Sequence, residues 1–182
     1  MKINFNNCTE EELWKYVASY LQIKGIDTVL VGGSVVSVYT DGAYQSGDLD
    51  LILTSMFVKN LSEVMGEIGF QRRSARHYTH PECKHLFIEF PAGPIEIGSD
   101  NNIAPETVEF EGKKIKILSP TDCVKDRLAS YLYFNARECF DQALLVAKRH
   151  PVNLPKVKKW CKNENREDVF IEFRSKLKSI KN

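Results

Sequence analysis

No stretch of this 182-residue chain approaches the roughly 20 consecutive apolar residues that a bilayer-crossing helix needs, which excludes a helical membrane span. The opening MKINFNNCTEEELW also lacks the apolar segment of a secretory signal, so a cytoplasmic protein is expected. Net charge is equally scarce. The 25 basic side chains nearly cancel the 24 acidic ones, so no global field draws the molecule to nucleic acid or to an anionic membrane, and a polynucleotide partner has to be held by a local patch. Paired cysteine motifs are missing too. Cys8, Cys83, Cys123, Cys139 and Cys161 are odd in number, scattered and never in a CxxC, which argues against a disulfide framework and for reduced thiols, with Cys123 and Cys139 as small apolar residues inside helices. Internal repeats and low-complexity segments are absent.

What the chain has is apolar content: 43% hydrophobic residues suffice for one globular core, or for a main domain with a helical appendage. Thr9 and Glu12 form a capping-box pattern ahead of Leu13, Val17 and Leu21, which predicts an amphipathic helix ending near Gly25. Asp27 to Val31 reads as a buried strand running into Gly32-Gly33-Ser34, with a short helix over Val35 to Tyr39. The alternation of Asp48 to Leu53 marks a second strand that puts Leu49, Leu51 and Leu53 on one face and Asp48, Asp50 and Ile52 on the other. A stripe of Phe57, Leu61, Val64 and Ile68, capped at Ser55 and stopped at Gly69, predicts a further helix.

From Phe70 to Ile117 the pattern is strand-like and turn-rich, best over Leu86 to Phe90, Ile95 to Ile97, Thr107 to Phe110 and Lys113 to Ile117, with Glu111-Gly112 as a hairpin turn. Ser119-Pro120-Thr121-Asp122 supplies an N-cap, a proline at N1 and an acid at N3, and the rest of the chain reads as helical, broken at Pro151 and Pro155. The expected division is an α/β part over 1–118 and a helical part over 119–182.

Glycines directly after a buried strand allow close backbone approach, and the amides of the following helix start point at an anion, a geometry suited to a triphosphate, with the Ser34 hydroxyl at the same place. Asp48 and Asp50, two apart on a strand, project into one small volume, where two carboxylates repel and prefer to share divalent cations such as magnesium or manganese. Gly-Gly-Ser also occurs in many turns, and a lone Asp-x-Asp is usually a solvated strand end. The two in this order and context are more specific.

Val31-Gly32-Gly33-Ser34, thirteen residues, then Asp48-Leu49-Asp50-Leu51-Ile52 resembles the signature of the polymerase-beta-like nucleotidyltransferase superfamily. The segments His80-Pro81, Phe87 to Pro94, Pro120-Thr121-Asp122 and Lys125 to Ala129 resemble the compact bacterial branch related to abortive-infection and toxin families. The resemblance implies a mixed β-sheet with flanking helices plus a C-terminal helical bundle. It implies a nucleoside triphosphate substrate, a magnesium or manganese cofactor, transfer of a nucleoside monophosphate to a protein, RNA or small-molecule acceptor with pyrophosphate release, and no DNA template. The superfamily usually has a third carboxylate on a neighbouring strand. Glu89, an acid amid apolar neighbours, is the choice for it, Glu96 the second, and an exposed edge-strand charge the competing explanation for Glu89. By the same resemblance Lys125 and Arg127 reach the triphosphate, unless they lie on a solvated helix face.

Two alternatives stand beside this. The first is a catalytically degenerate nucleotide- or partner-binding module, half of a toxin–antitoxin pair. The second is a zinc-dependent hydrolase built on His77, His80, Cys83 and His85, whose HxxHxxCxH spacing matches no common zinc module. The basic, amphipathic tail from Pro155, with Trp160 and Phe173, suits an RNA or acidic partner, or a bundle helix with a lysine-rich wet face.

Overall fold

The computed structural model describes residues 2–55, 58 and 60–181. Helix α1 (Glu10–Ile23) starts at the predicted capping box: the Glu12 amide donates to Thr9 Oγ1 at 3.2 Å and the Thr9 amide to Glu12 Oε2 at 2.8 Å. Its inner face buries Leu13, Trp14, Val17 and Leu21. Strand β1 (Thr28–Val31) is followed without a loop by α2 (Gly32–Tyr39), then β2 (Asp48–Leu53) and α3 (Leu61–Glu67). Because α3 begins at Leu61 behind Asn60, Ser55 does not cap it. Phe57, assigned to the same stripe, lies outside the described residues.

The middle of the chain supplies β3 (Gln71–Arg72), β4 (His77–His80), β5 (Cys83–Glu89), β6 (Glu106–Phe110) and β7 (Lys113–Ile117). Glu111 and Gly112, both at positive φ (47° and 73°), close the β6–β7 hairpin as a two-residue turn. Ile95 to Ile97, expected as a strand, is loop: the chain bends through Pro91 and Pro94, which lack ladder donors, and only an isolated bridge joins Ile97 to Asp100. The strands form one sheet in the order β3-β4-β5-β2-β1-β7-β6. Within it β2 lies between antiparallel β1 and parallel β5, the contact on which the site depends.

Helices α4 (Pro120–Phe134), α5 (Arg137–Arg149), α6 (Leu154–Asn163) and α7 (Glu167–Lys181) complete seven helices among the described residues. The Ser119 hydroxyl caps α4, accepting from the Asp122 amide at 3.1 Å and donating to Asp122 Oδ2 at 2.7 Å. Pro155 does not break the tail; it sits in the first turn of α6, where the missing N–H has no helical partner to lose. One hydrophobic core runs through both parts, from Leu13, Leu30 and Leu51 to Val124, Ala143 and Phe173, with α2 packed against both β2 and α4. The Trp160 indole N–H donates to the Ile97 carbonyl at 2.8 Å, and Glu164 accepts from the Ser99 amide at 2.7 Å, so α6 and its C-cap hold the loop between β5 and β6. The result is a mixed α/β architecture with flanking helices and a helical C-terminal part.

Candidate active site

Three strands build the site. Asp50 of β2 lies opposite Val31 in β1 and Glu89 in β5, and Asp48 lies opposite Phe87. Strand alternation buries Leu49 and Leu51 completely and leaves Asp48 and Asp50 on the other, half-buried face. Glu89, in register with Asp50, joins the two aspartates. Glu96 lies exposed in the loop after β5, away from this register.

Gly32 begins α2 with φ at 73°, and a Cβ built on it would fall 2.1 Å from Asp50 Oδ2. Only glycine therefore allows the α2 start and the Asp50 carboxylate to coexist at this spacing. A Cβ on Gly33 would fall 2.6 Å from Ser46 Oγ. That serine hydroxyl donates to Asp48 Oδ1 at 2.6 Å, and the Ser46 amide in turn donates to buried Glu10 at 2.9 Å. Ser34, expected beside the phosphates, is fully buried, with its hydroxyl donating to the Val31 carbonyl at 3.1 Å; in this structure it ties the helix start to β1.

The Asp50 carboxylate has no hydrogen-bond or ion-pair partner among the described residues. Burial first, then the charges of Asp48 and Glu89, push its carboxyl up to about 7. The guanidinium of Arg127 pulls the other way but does not prevail. A crowded acid with nothing to neutralise it is a strong oxygen donor for a hard divalent cation, and Asp48, Asp50 and Glu89 together suit magnesium or manganese.

Arg127 and Lys125 part company. Residues two positions apart on a helix are separated by about 200°, so they leave α4 on opposite sides. Arg127 turns toward the carboxylate side, paired with Asp126 at 2.6 Å and donating to Gln142 at 3.4 Å. Lys125 is 5% exposed and is taken up by Asp100 at 2.6 Å and Asp122 at 2.7 Å, in a separate cluster lined also by Lys156 and Trp160.

The histidines also separate. His77 Nε2 meets Glu89 Oε2 at 3.1 Å, and its Nδ1 meets the Ser74 hydroxyl at 2.7 Å. Arg76 reaches the other Glu89 oxygen at 3.4 Å. His80 is buried, stacked on Phe5 with ring centroids 3.8 Å apart, where burial lowers its pKa, so His77, His80, Cys83 and His85 do not converge on one ion. Ser46, Arg76 and Arg127's partner Gln142 were not legible as site residues; no local pattern marks them, since each is brought in by the sheet or by α5.

The same sheet face carries a cavity of about 1,020 Å³ lined by Val29, Ile52, Phe90 and Ile103, with Arg76 and Lys116 at its polar side. Ile52 follows Asp50 on that face, and Arg76 touches both the cavity and Glu89.

No family model and no curated protein sequence matches the chain. In structure it is similar to an antigenic nucleotidyltransferase-like protein from Paracoccidioides brasiliensis, with a TM-score of 0.59, 15% identity, and 91% of this chain and 92% of that one covered. It is also similar to the antibiotic-resistance factor ANT(2'')-Ia, with a TM-score of 0.52, 12% identity and 94% of each chain covered. A lincosamide antibiotic adenylyltransferase, LnuA, bound to lincomycin, gives a TM-score of 0.50 and 15% identity over 80% of this chain and 100% of that one. The fold is therefore the nucleotidyltransferase fold.

Proposed function

We propose that the chain transfers a nucleoside monophosphate from a nucleoside triphosphate to an acceptor hydroxyl. The observation that carries this is the register of Asp50 with Glu89 beside the Gly32 turn, which leaves a raised, unpartnered carboxyl facing two others. Amides at the start of α2 receive the phosphates, and Asp48, Asp50 and Glu89 hold magnesium or manganese. The bound cation supplies charge neutralisation for the triphosphate and the leaving pyrophosphate. The acceptor oxygen forms a bond to the α-phosphorus as the bond to pyrophosphate breaks, and its proton passes to Glu89, whose Oε2 is already hydrogen-bonded to His77. Arg127 is the basic residue of the helical part that serves the nucleotide.

The cavity of about 1,020 Å³ supports a small molecule as acceptor, with an apolar body against Ile52 and Phe90 and a polar or anionic group toward Arg76 and Lys116. Lincomycin bound to LnuA, and the adenylylated antibiotic adenylyl-2''-tobramycin bound to ANT(2'')-Ia, are small-molecule ligands on the same fold and lend support. Five free cysteines and a nucleotide substrate suit the cytoplasm.

A second reading, favoured by the engagement of Glu89 with Arg76 and His77, is a degenerate module that binds nucleotide or a partner, as in a toxin–antitoxin pair. A protein or RNA partner would then meet the exposed lysines of α6, Lys156, Lys158 and Lys159. Calorimetry with ATP, GTP, CTP and UTP in magnesium, on wild type and the Asp48→Ala/Asp50→Ala variant, separates the readings. Metal-dependent binding of one nucleotide, lost in the variant and accompanied by pyrophosphate release with an acceptor, supports transfer. Binding without pyrophosphate release under any acceptor condition supports the module, and no binding at all overturns both nucleotide readings.

A further inference from the structure

Cys8 closes the N-terminal segment immediately before the cap of α1, whereas Cys83 and His85 lie two apart on β5 and so leave that strand on the same side. The fold brings all three together. Cys8 Sγ and Cys83 Sγ are 3.9 Å apart, Cys83 Sγ and His85 Nδ1 are 4.0 Å apart, and one donor atom from each of the three residues lies within 4.8 Å of the others. A tetrahedral zinc ion with Zn–S near 2.3 Å and Zn–N near 2.0 Å sets its sulfurs roughly 3.8 Å apart and a sulfur and nitrogen roughly 3.6 Å apart. The two spacings that involve Cys83 need only a few tenths of an ångström of adjustment, and the pair Cys8 and His85, within 4.8 Å, closes to about 3.6 Å by up to about 1 Å of side-chain movement.

His85 is already oriented. Its Nε2 donates to the Cys8 carbonyl at 2.8 Å, since a carbonyl can only accept; this fixes the tautomer that leaves an Nδ1 lone pair facing the sulfurs. Metal-bound histidines are commonly held in this way, by a backbone carbonyl on the other ring nitrogen.

We propose that Cys8, Cys83 and His85 form a three-ligand zinc(II) site, with water in the fourth position. Two sulfurs and an imidazole select a soft or borderline ion over magnesium, which keeps this site chemically distinct from the carboxylates. On binding, the two thiols release two protons to solvent, and the cation with two thiolates is neutral, which suits buried sulfurs. A cavity of about 490 Å³ lined by Cys8, His85, Glu10, Asp41 and Gln45 gives water and metal their access. The bound ion would clip the N-terminal segment to β5, the strand that carries Glu89. The inference is independent of the transferase reading.

The test is cobalt(II) titration of reduced, metal-free, full-length protein, followed by zinc competition. Expected are a thiolate-to-cobalt charge-transfer band that saturates at one equivalent at the thiolates, tetrahedral d–d bands, and displacement by zinc. Cys8→Ser and Cys83→Ser should abolish the band, and His85→Ala should weaken binding about tenfold or more. His85 is exposed, so its variant keeps the fold even if a buried cysteine variant does not, and circular dichroism checks each. Lys156→Ala, far from the three ligands, should leave the thiolate-to-cobalt band unchanged. The proposal is overturned by a reduced wild type with no thiolate band, by a band that survives in His85→Ala with unchanged affinity, or by protein that forms a Cys8–Cys83 disulfide yet takes up no metal after reduction.

Discussion

The Oδ2 atom of Asp50 occupies the space that a side chain on residue 32 would need: a Cβ on Gly32 would fall 2.1 Å from it and 3.0 Å from the carboxyl carbon. Gly32→Ala must therefore rotate the Asp50 carboxylate out of register with Glu89, and must also hold alanine at a φ of 73°. A stability loss of about 1–3 kcal/mol is expected, with nucleotide affinity in magnesium reduced at least about tenfold. Thermal unfolding and calorimetry on the one variant read both effects. Unchanged affinity would mean that Asp50 does not hold the metal.

Ser46 offers a finer probe, because its hydroxyl spends its hydrogen bond on Asp48. Ser46→Ala leaves Asp48 free to swing, and a hydrogen bond to a charged group is worth about 1.5–3 kcal/mol. A loss of roughly tenfold in metal-dependent nucleotide affinity, with a melting temperature lowered by a few degrees, is the expected result.

The Asp50 carboxyl also gives the metal-free protein a pH signature. Its folded-state value of about 7 lies above its ordinary value of 3.8, so between them the folded chain holds a proton that the unfolded chain has lost. Stability from this group is therefore greatest in acid and falls as pH rises from about 4 to about 7, by as much as about 4 kcal/mol. In chelator, Asp50→Asn should melt higher than wild type at pH 8 and show little difference at pH 4. Magnesium should narrow the gap at pH 8 by stabilising wild type alone. Parallel melting curves for the two proteins across this range would mean that burial and the neighbouring carboxylates do not hold the Asp50 carboxyl in its protonated form.

Lys125 and Arg127 should fail differently. Lys125→Met leaves Asp100 and Asp122 without their cation, so it should lower the melting temperature while nucleotide affinity in magnesium stays within a few fold. Arg127→Met removes the positive charge that acts on Asp50 and should weaken nucleotide binding about tenfold or more. A larger binding defect in Lys125→Met would reverse this assignment.

Where one residue's neighbours in the chain decide its state, the sequence was readable. The Thr9–Glu12 box, the Ser119-Pro120 start, the Glu111-Gly112 turn and the alternation of Asp48 to Leu53 all rest on contacts within a few positions, and each element stands at its expected place. Strand β4 was not legible because His77 and Thr79 give no apolar alternation; its place is fixed by pairing with β5. Long-range encounters were equally hidden. Lys125 reads as a surface cation until Asp100, 25 residues earlier, is seen beside it, and Cys83 reads as part of a histidine cluster until Cys8, 75 residues away, arrives at its sulfur. The carboxylate triad lies between these cases: Asp48 and Asp50 were marked by their spacing, whereas the register that brings in Glu89 belongs to the sheet.

The hold of Trp160 on the Ile97 carbonyl, across 63 residues, also sets an order of events during synthesis. A chain emerging N-terminus first displays Asp48, Asp50 and Glu89 well before α6 exists to seat the loop that walls the neighbouring cavity. A ribosome-bound chain stopped before Trp160 would therefore expose these carboxylates without a finished cavity beside them.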